Sequence, residues 1–234
     1  MKMGLIIKFG GSLLFNEASL DINKNKVMEL IKIIQSSPDV EGIVCGGGKI
    51  ARKYIHAGRN MGFNEEKLDS LGIMVSRTNA QILIYALGET AFPTPITNLK
   101  EAKRAKMENK LLVAGGFVPK QSTTTVAMQL CETLHCDLII LTDVDGIYDK
   151  DPKTHPDAKK FDTIHYSELE SLLRTRTGQE QTAGKYQIFD LLSLQILKRN
   201  NLRVRFINGT ELGNLRDLLT EDFQSSKIGT IISP

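Results

Sequence analysis

The sequence predicts an α/β fold with three layers, a central mostly parallel sheet covered by helices on both faces. Two observations carry that expectation: short, near-continuous apolar runs alternate with segments of helical periodicity, and three of the apolar runs end directly in glycines. A third is the absence of any low-complexity linker or solenoid-length repeat, which makes the 234 residues one continuous domain.

Taken in order, Leu5-Ile6-Ile7-Lys8-Phe9 reads as a buried strand broken by Gly10-Gly11-Ser12, followed by a helix carrying Val27, Leu30, Ile31 and Ile34 on one face. The unit repeats: Val40-Glu41-Gly42-Ile43-Val44-Cys45 runs into Gly46-Gly47-Gly48, then into a helix over 49–58. A long helix over 69–87 follows, with Leu71, Val75, Ile82 and Ala86 on one face, and Pro93 and Pro95 mark an extended crossing. A charged helix at 100–107, a strand at 111–114 ending in Gly115-Gly116, a helix at 124–135 and a strongly apolar strand at 138–141 complete four alternations. Such alternation dictates parallel pairing. Residues 143–163 are polar and turn-rich, and helices are expected at 167–173, 189–199 and 214–219, with strands at 203–207 and 229–232.

Composition narrows the function classes. The apolar fraction of 41% supports a full core, and a net charge of +3 spread over both halves gives no platform for nucleic acid. Arg77, Arg174, Arg176, Lys198, Arg199, Arg203 and Arg205 are read mostly as solvated, because no aromatics interleave with them. The amino-terminal apolar run is too short for a signal core and no stretch reaches membrane-spanning length, so a cytoplasmic protein with no membrane partner is expected. Cys45 ends a strand, while Cys131 and Cys136 lie five apart in a helical pattern; buried free thiols are expected. His56, His135, His155 and His165 lack zinc-like spacing, and no metal ligands are assigned.

Glycines at the carboxyl ends of parallel strands let backbone N–H groups approach an anion, and each following helix adds its positive end. One such turn has little meaning; three in one chain suggest a polyphosphate. The chain holds no G-x-x-x-x-G-K-[ST], and Gly10-Gly11-Ser12 lacks the G-x-G-x-x-G spacing, so neither a P-loop nor a dinucleotide fold is indicated. Lys8 interrupts an apolar strand two residues before the first glycine pair, where its ammonium requires an anion or an escape to water.

The string Thr142-Asp143-Val144-Asp145-Gly146-Ile147-Tyr148-Asp149-Lys150-Asp151-Pro152 resembles the T-[ND]-V-D-G-[VI]-[YF]-x-x-D-P signature of amino acid kinases, and Lys8-Phe9-Gly10-Gly11-Ser12 is similar to their K-x-G-G-S loop. Taken alone, Asp145-Gly146 is more often a turn than a site. The resemblance spans the chain to Ile228-Gly229-Thr230-Ile231-Ile232, and Gly46-Gly47-Gly48-Lys49-Ile50-Ala51-Arg52 is most similar to the archaeal-type uridylate kinases.

The resemblance implies an ATP-dependent kinase of the amino acid kinase fold that converts UMP to UDP. It implies a phosphate-acceptor half at about 1–135 and a nucleotide half at about 136–234, with Mg²⁺ arriving on ATP. It also implies a homo-oligomer, dimer or hexamer. Lys8 and Asp190 would be the catalytic pair, Asp190 orienting Lys8. Gly10, Gly11, Ser12, Thr142, Asp143, Asp145, Gly146, Tyr148, Asp151 and Pro152 would bind ATP. Gly47, Gly48, Arg52, Asp69, Ser122, Thr123 and Thr124 would bind the monophosphate, with Arg52 on its phosphate and Asp69 on its ribose. Ala183-Gly184-Lys185-Tyr186-Gln187-Ile188-Phe189-Asp190 aligns with the block that supplies the orienting aspartate.

Three departures bear on the acceptor. Thr124 stands where the uridylate kinases' T-T-D carboxylate would be, Lys120 replaces a glycine, and Lys185 replaces a small hydroxyl residue. The stretch 204–215 resembles molybdenum storage proteins. Two alternatives therefore stand beside a UMP kinase: a kinase for another phosphorylated metabolite, and an ATP-binding storage or regulatory protein.

Overall fold

The computed structural model describes residues 3–16, 19–152, 154–176 and 189–234. Its strands are β1 (Gly4–Phe9), β2 (Val40–Cys45), β3 (Leu112–Ala114), β4 (Cys136–Thr142), β5 (Thr163–His165), β6 (Val204–Asn208) and β7 (Thr230–Ser233). Its helices are α1 (Lys24–Gln35), α2 (Gly48–Asn60), α3 (Glu65–Leu87), α4 (Leu99–Met107), α5 (Thr123–Leu134), α6 (Tyr166–Arg176), α7 (Leu191–Asn200) and α8 (Gly213–Thr220).

The strands form one seven-stranded sheet in the order β3-β2-β1-β4-β6-β7-β5. All pairings are parallel except β6 with β7, which run antiparallel. Alternation along β1 explains the layers. Leu5, Ile7 and Phe9 enter a core with Val27, Leu30, Leu83 and Leu215 from α1, α3 and α8, whereas Ile6 faces a second core with Val126, Leu130, Leu169 and Leu197 from α5, α6 and α7. Each such side chain removed from water stabilises the fold by roughly 1.5–3 kcal/mol, so two opposed cores hold the sheet in the middle.

Helix ends follow local chemistry. Asn23, Asn64, Asn98 and Ser122 each cap a following helix by accepting from its first-turn N–H groups. At the other end of α5, His135 takes a left-handed conformation, φ 58°, and terminates the helix. Cys136 therefore opens β4 rather than continuing a helical pattern with Cys131, which corrects the sequence expectation; all three thiols are free and buried, as expected.

Two further differences have physical causes. β5 was not anticipated, because it is three residues long with only Ile164 buried. Arg205, read as solvated, is 1% exposed. Its guanidinium donates to the carbonyls of Phe223, Gln224, Ser226 and Ile228, a cage built by the chain returning before β7. Arg77 and Arg203 are half-buried and engaged as well, on Gly116 and Phe117 carbonyls and on Asp137 respectively.

Candidate active site

The carboxyl ends of β1, β2, β3 and β4 gather the glycine turns. The turns after β1 and β2 are interlocked: a Cβ on Gly11 would lie 2.3 Å from the Gly46 carbonyl oxygen and 2.4 Å from the Gly48 nitrogen, and a Cβ on Gly48 would lie 2.4 Å from the Gly11 carbonyl. Gly48 also has φ 63°, which suits only glycine at low cost. The third turn packs on α3 in the same manner, since Gly115 would strike the Arg77 nitrogen at 2.7 Å.

Buried polar residues of α3 hold these turns. Asn79, 3% exposed, donates to the carbonyls of Gly46 (2.9 Å) and Gly47 (3.4 Å). Ser76 accepts from the Gly116 N–H at 2.8 Å and donates to Ile73 O. Sequence reasoning missed both, although polar residues on the apolar side of a helix were a usable signal.

Lys8 lies 6% exposed on the sheet face shared with Ile6, where α5 and α7 pack. Among the described residues no carboxylate pairs with its ammonium. The neighbouring Cys45 thiol is pushed up to about 12 by burial, only partly offset by the Lys8 charge. A buried ammonium with no carboxylate on it among the described residues has the chemistry to hold an anion beside the two interlocked turns.

Asp190 has a different setting from the one expected. It caps α7 in a reciprocal capping box with Ser193. Its carboxylate accepts from Thr125 Oγ1 (2.7 and 2.6 Å) and from the Ser122 N–H (3.2 Å). Burial raises its pKa, but the hydrogen bonds from Thr125, Ser122 and Ser193 outweigh it, and the net direction is downward. Asp190 thus clamps the start of α5 to the start of α7, and no ion pair joins it to Lys8. The 183–188 part of its block, including Lys185, lies outside the described residues.

A cleft of about 180 Å³ opens beside the turns, lined by Gly47, Gly48 and Arg52 on one side and by Asp69, Ile73, Gln121 and others facing them. Arg52 is exposed on the first turns of α2. Asp69 accepts from the Lys120 N–H at 2.8 Å, and Lys120 has φ 65°, a conformation that favours glycine. Of the expected trio, only Thr123 lines the cleft. The Ser122 hydroxyl caps α5 through the Thr125 N–H, and Thr124 is buried. A further correction concerns Gly10, whose N–H is spent on Leu141 O at 3.2 Å, leaving Gly11 and Ser12 as that turn's donors toward an anion.

The loop after β4 forms the other flank. Asp143 and Asp145 are exposed, Thr142 is buried, and Asp145 accepts from Asn208 Nδ2 at 2.8 Å. Gly146 packs on Thr230, whose hydroxyl accepts from the Ile147 N–H (2.9 Å) and donates to Phe161 O. Burial first, then Asp145, raise the Tyr148 phenol. Asp151 closes a turn by accepting at its carbonyl from the Thr154 and His155 N–H groups, with Pro152 inside it.

The sequence profile described as the Amino acid kinase family matches residues 3–208. The chain belongs to the amino acid kinase family. Within that family it is 36% identical over 233 residues to a uridylate kinase of Methanothermobacter thermautotrophicus, covering 99% of this chain and 100% of the relative. It is 37% identical over 233 residues to a uridylate kinase of Sulfurisphaera tokodaii, with the same coverage. The crystal structure of uridylate kinase from Archaeoglobus fulgidus superposes with a TM-score of 0.81 at 31% identity, covering 99% and 100% of the two chains. The UMP kinase structure from Ureaplasma parvum, at 21% identity and a TM-score of 0.79 over the full length of both, shares the amino acid kinase fold.

Proposed function

We propose that this amino acid kinase transfers the γ-phosphoryl group of ATP to a nucleoside monophosphate, UMP, giving UDP and ADP. The observation that carries the proposal is Lys8: a buried ammonium with no carboxylate partner among the described residues, at two interlocked turns, beside a cleft that offers Arg52. The names of the relatives supply the substrate.

The chemistry follows from these residues. Lys8 and the N–H groups of Gly11 and Ser12 bind the donor phosphates, and Gly47, Gly48 and Arg52 bind the phosphate of UMP. An anionic oxygen of UMP forms the new P–O bond, and the bond from the γ-phosphorus to the bridging oxygen breaks, so the electron pair leaves with ADP. That nucleophile already carries its charge at neutral pH, so no general base is required. The transition state spreads charge over equatorial oxygens, where a preorganised cation acts most strongly. Thr142, Asp143, Asp145, Gly146, Tyr148, Asp151 and Pro152 hold the nucleoside part of ATP. Asp69 and Thr123 serve the monophosphate. Asp190 acts by fixing the start of α5, which lies on the same sheet face as Lys8.

No group of three or more His, Cys, Asp or Glu converges among the described residues; Lys8, Gly11 and Ser12 would hold the ATP phosphates, and Mg²⁺ arriving with them would supply neutralisation of phosphate charge. No helix among the described residues is long and apolar enough to cross a membrane, and the proposal is a cytoplasmic homo-oligomer.

ADP release with UMP, CMP, AMP and a phosphorylated isoprenoid tests the acceptor. UMP is expected to give the highest kcat/KM. Arg52→Ala should raise the KM for UMP about tenfold to a hundredfold, the loss of roughly 1.5–3 kcal/mol of a charge-assisted bond, and leave that for ATP unchanged. Tight ATP binding with no acceptor-dependent turnover would overturn the kinase assignment in favour of storage.

A further inference from the structure

Gly46-Gly47-Gly48 is a run without a Cβ, and such a run has little preference of its own for the way each peptide faces. An anion site needs that choice made. A trans peptide directs its carbonyl and its N–H to opposite sides, so each unit offers a phosphate either a donor or a repelling oxygen. Reversing the Gly46–Gly47 peptide takes rotation about two glycine backbones, which no side chain of the turn opposes.

The choice is made from α3. Gly46 spends its own N–H on Phe9 O at 3.1 Å, which fastens the end of β2 but not the peptide that follows. Asn79 fastens that peptide: its Nδ2 donates to the carbonyls of Gly46 (2.9 Å) and Gly47 (3.4 Å). Only the NH₂ end of an amide can meet two carbonyls, so these partners fix its orientation. With both oxygens drawn to Asn79 and every described peptide trans, the N–H groups of Gly47 and Gly48 face the other way. Neither N–H has a protein acceptor among the described residues, and both glycines line the cleft. Asn79 does not line it and is 3% exposed, so its action on a ligand runs through the turn.

We infer that Asn79 is a positioning residue that sets the polarity of the acceptor turn, so that N–H groups rather than a carbonyl meet the phosphate of the monophosphate. The inference rests on the proposed acceptor class and deepens it. The turn after β1 has its own fastening, since Gly10 donates to Leu141 O at 3.2 Å and accepts from the Leu13 N–H at 2.9 Å. Loss of Asn79 should therefore fall on the acceptor and not on ATP.

The test pairs two nearly isosteric substitutions: Asn79→Leu removes the donor, and Asn79→Asp replaces it with a group that donates only when protonated. Steady-state kinetics with UMP and ATP are run from about pH 6 to about pH 9, beside thermal melts. Asn79→Leu is expected to raise the KM for UMP about tenfold and to move that for ATP less than about threefold. For Asn79→Asp, the KM for UMP relative to wild type at the same pH should climb as pH rises. A buried carboxyl facing carbonyls stays protonated and donating at the lower pH, and once ionised it repels both oxygens and favours the reversed peptide. Packing alone predicts a flat ratio, because the volume of the side chain does not change with pH. A flat ratio, equal rises for UMP and ATP, or a KM for UMP within about twofold of wild type in both variants overturns the role of Asn79. Should Asn79→Leu melt below the assay temperature, the pH course of Asn79→Asp decides alone. Failure of wild type to release ADP with UMP overturns the acceptor class instead, a separate result.

Discussion

The turns after β1 and β2 and the loop after β4 flank one site but are built differently. In the first region backbone packs on backbone, with Gly11 and Gly48 too close for any side chain. In the second, side chains do the holding: Thr230 takes the Ile147 N–H, Asn208 donates to the Asp145 carboxylate, and Arg205 gathers four carbonyls of the segment before β7. Backbone contact leaves no room for graded change, and it exposes N–H groups at the closest approach to an anion. Side-chain support suits a larger and less charged group, and it can be weakened one bond at a time.

The largest expected effect removes the charge from the first region. Lys8→Met should lower turnover about a hundredfold or more, roughly 2.7 kcal/mol of transition-state stabilisation, with little change in melting temperature. Steady-state kinetics beside a thermal melt decides it, and turnover within a few-fold of wild type would remove Lys8 from the chemistry. Gly11→Ala tests the interlock itself. Its Cβ would meet backbone atoms at 2.3–2.4 Å, and a loss of about 3 kcal/mol is expected by urea unfolding. A loss below about 1 kcal/mol would show that the turns separate easily.

Thr230→Val probes the second region with nearly constant volume. It leaves the buried Ile147 N–H unmatched, so stability should fall by about 2 kcal/mol and the KM for ATP should rise, while that for the monophosphate stays. A rise confined to the monophosphate would break the division between the regions.

The smallest effect sharpens the seam between them. Asp190→Asn keeps the cap oxygen that accepts from the Ser193 N–H but sets an NH₂ against the Ser122 N–H, so the charge and that one bond are lost together, about 1.5 kcal/mol at neutral pH. The folded Asp190 carboxyl titrates below its ordinary 3.8, burial being outweighed by the Thr125, Ser122 and Ser193 hydrogen bonds. Its contribution is therefore complete above the unfolded value and is lost as pH falls through the folded one. Wild type should lose its advantage over the variant below about pH 4, measured as unfolding free energy against pH. An advantage that persists at pH 2 would assign the difference to packing.

The sequence by itself determined the alternation of strands and helices, the three glycine turns, the isolated Lys8 and the signature after β4. All of these are local: a period of two or of 3.6, a missing Cβ, or a charge inside an apolar run can be read from neighbours in the chain. What only the tertiary structure decided involves partners far apart in sequence. Asn79 and Ser76 hold turns 33 and 40 residues away, and Asp190 binds Thr125 at a separation of 65. Arg205 looked like a surface cation until the segment before β7 closed over it. Gly10 looked like an anion donor until β4 took its N–H. Hydrogen bonds spend donors one at a time, and which donor is already spent depends on which elements pack together, a fact that no local pattern carries.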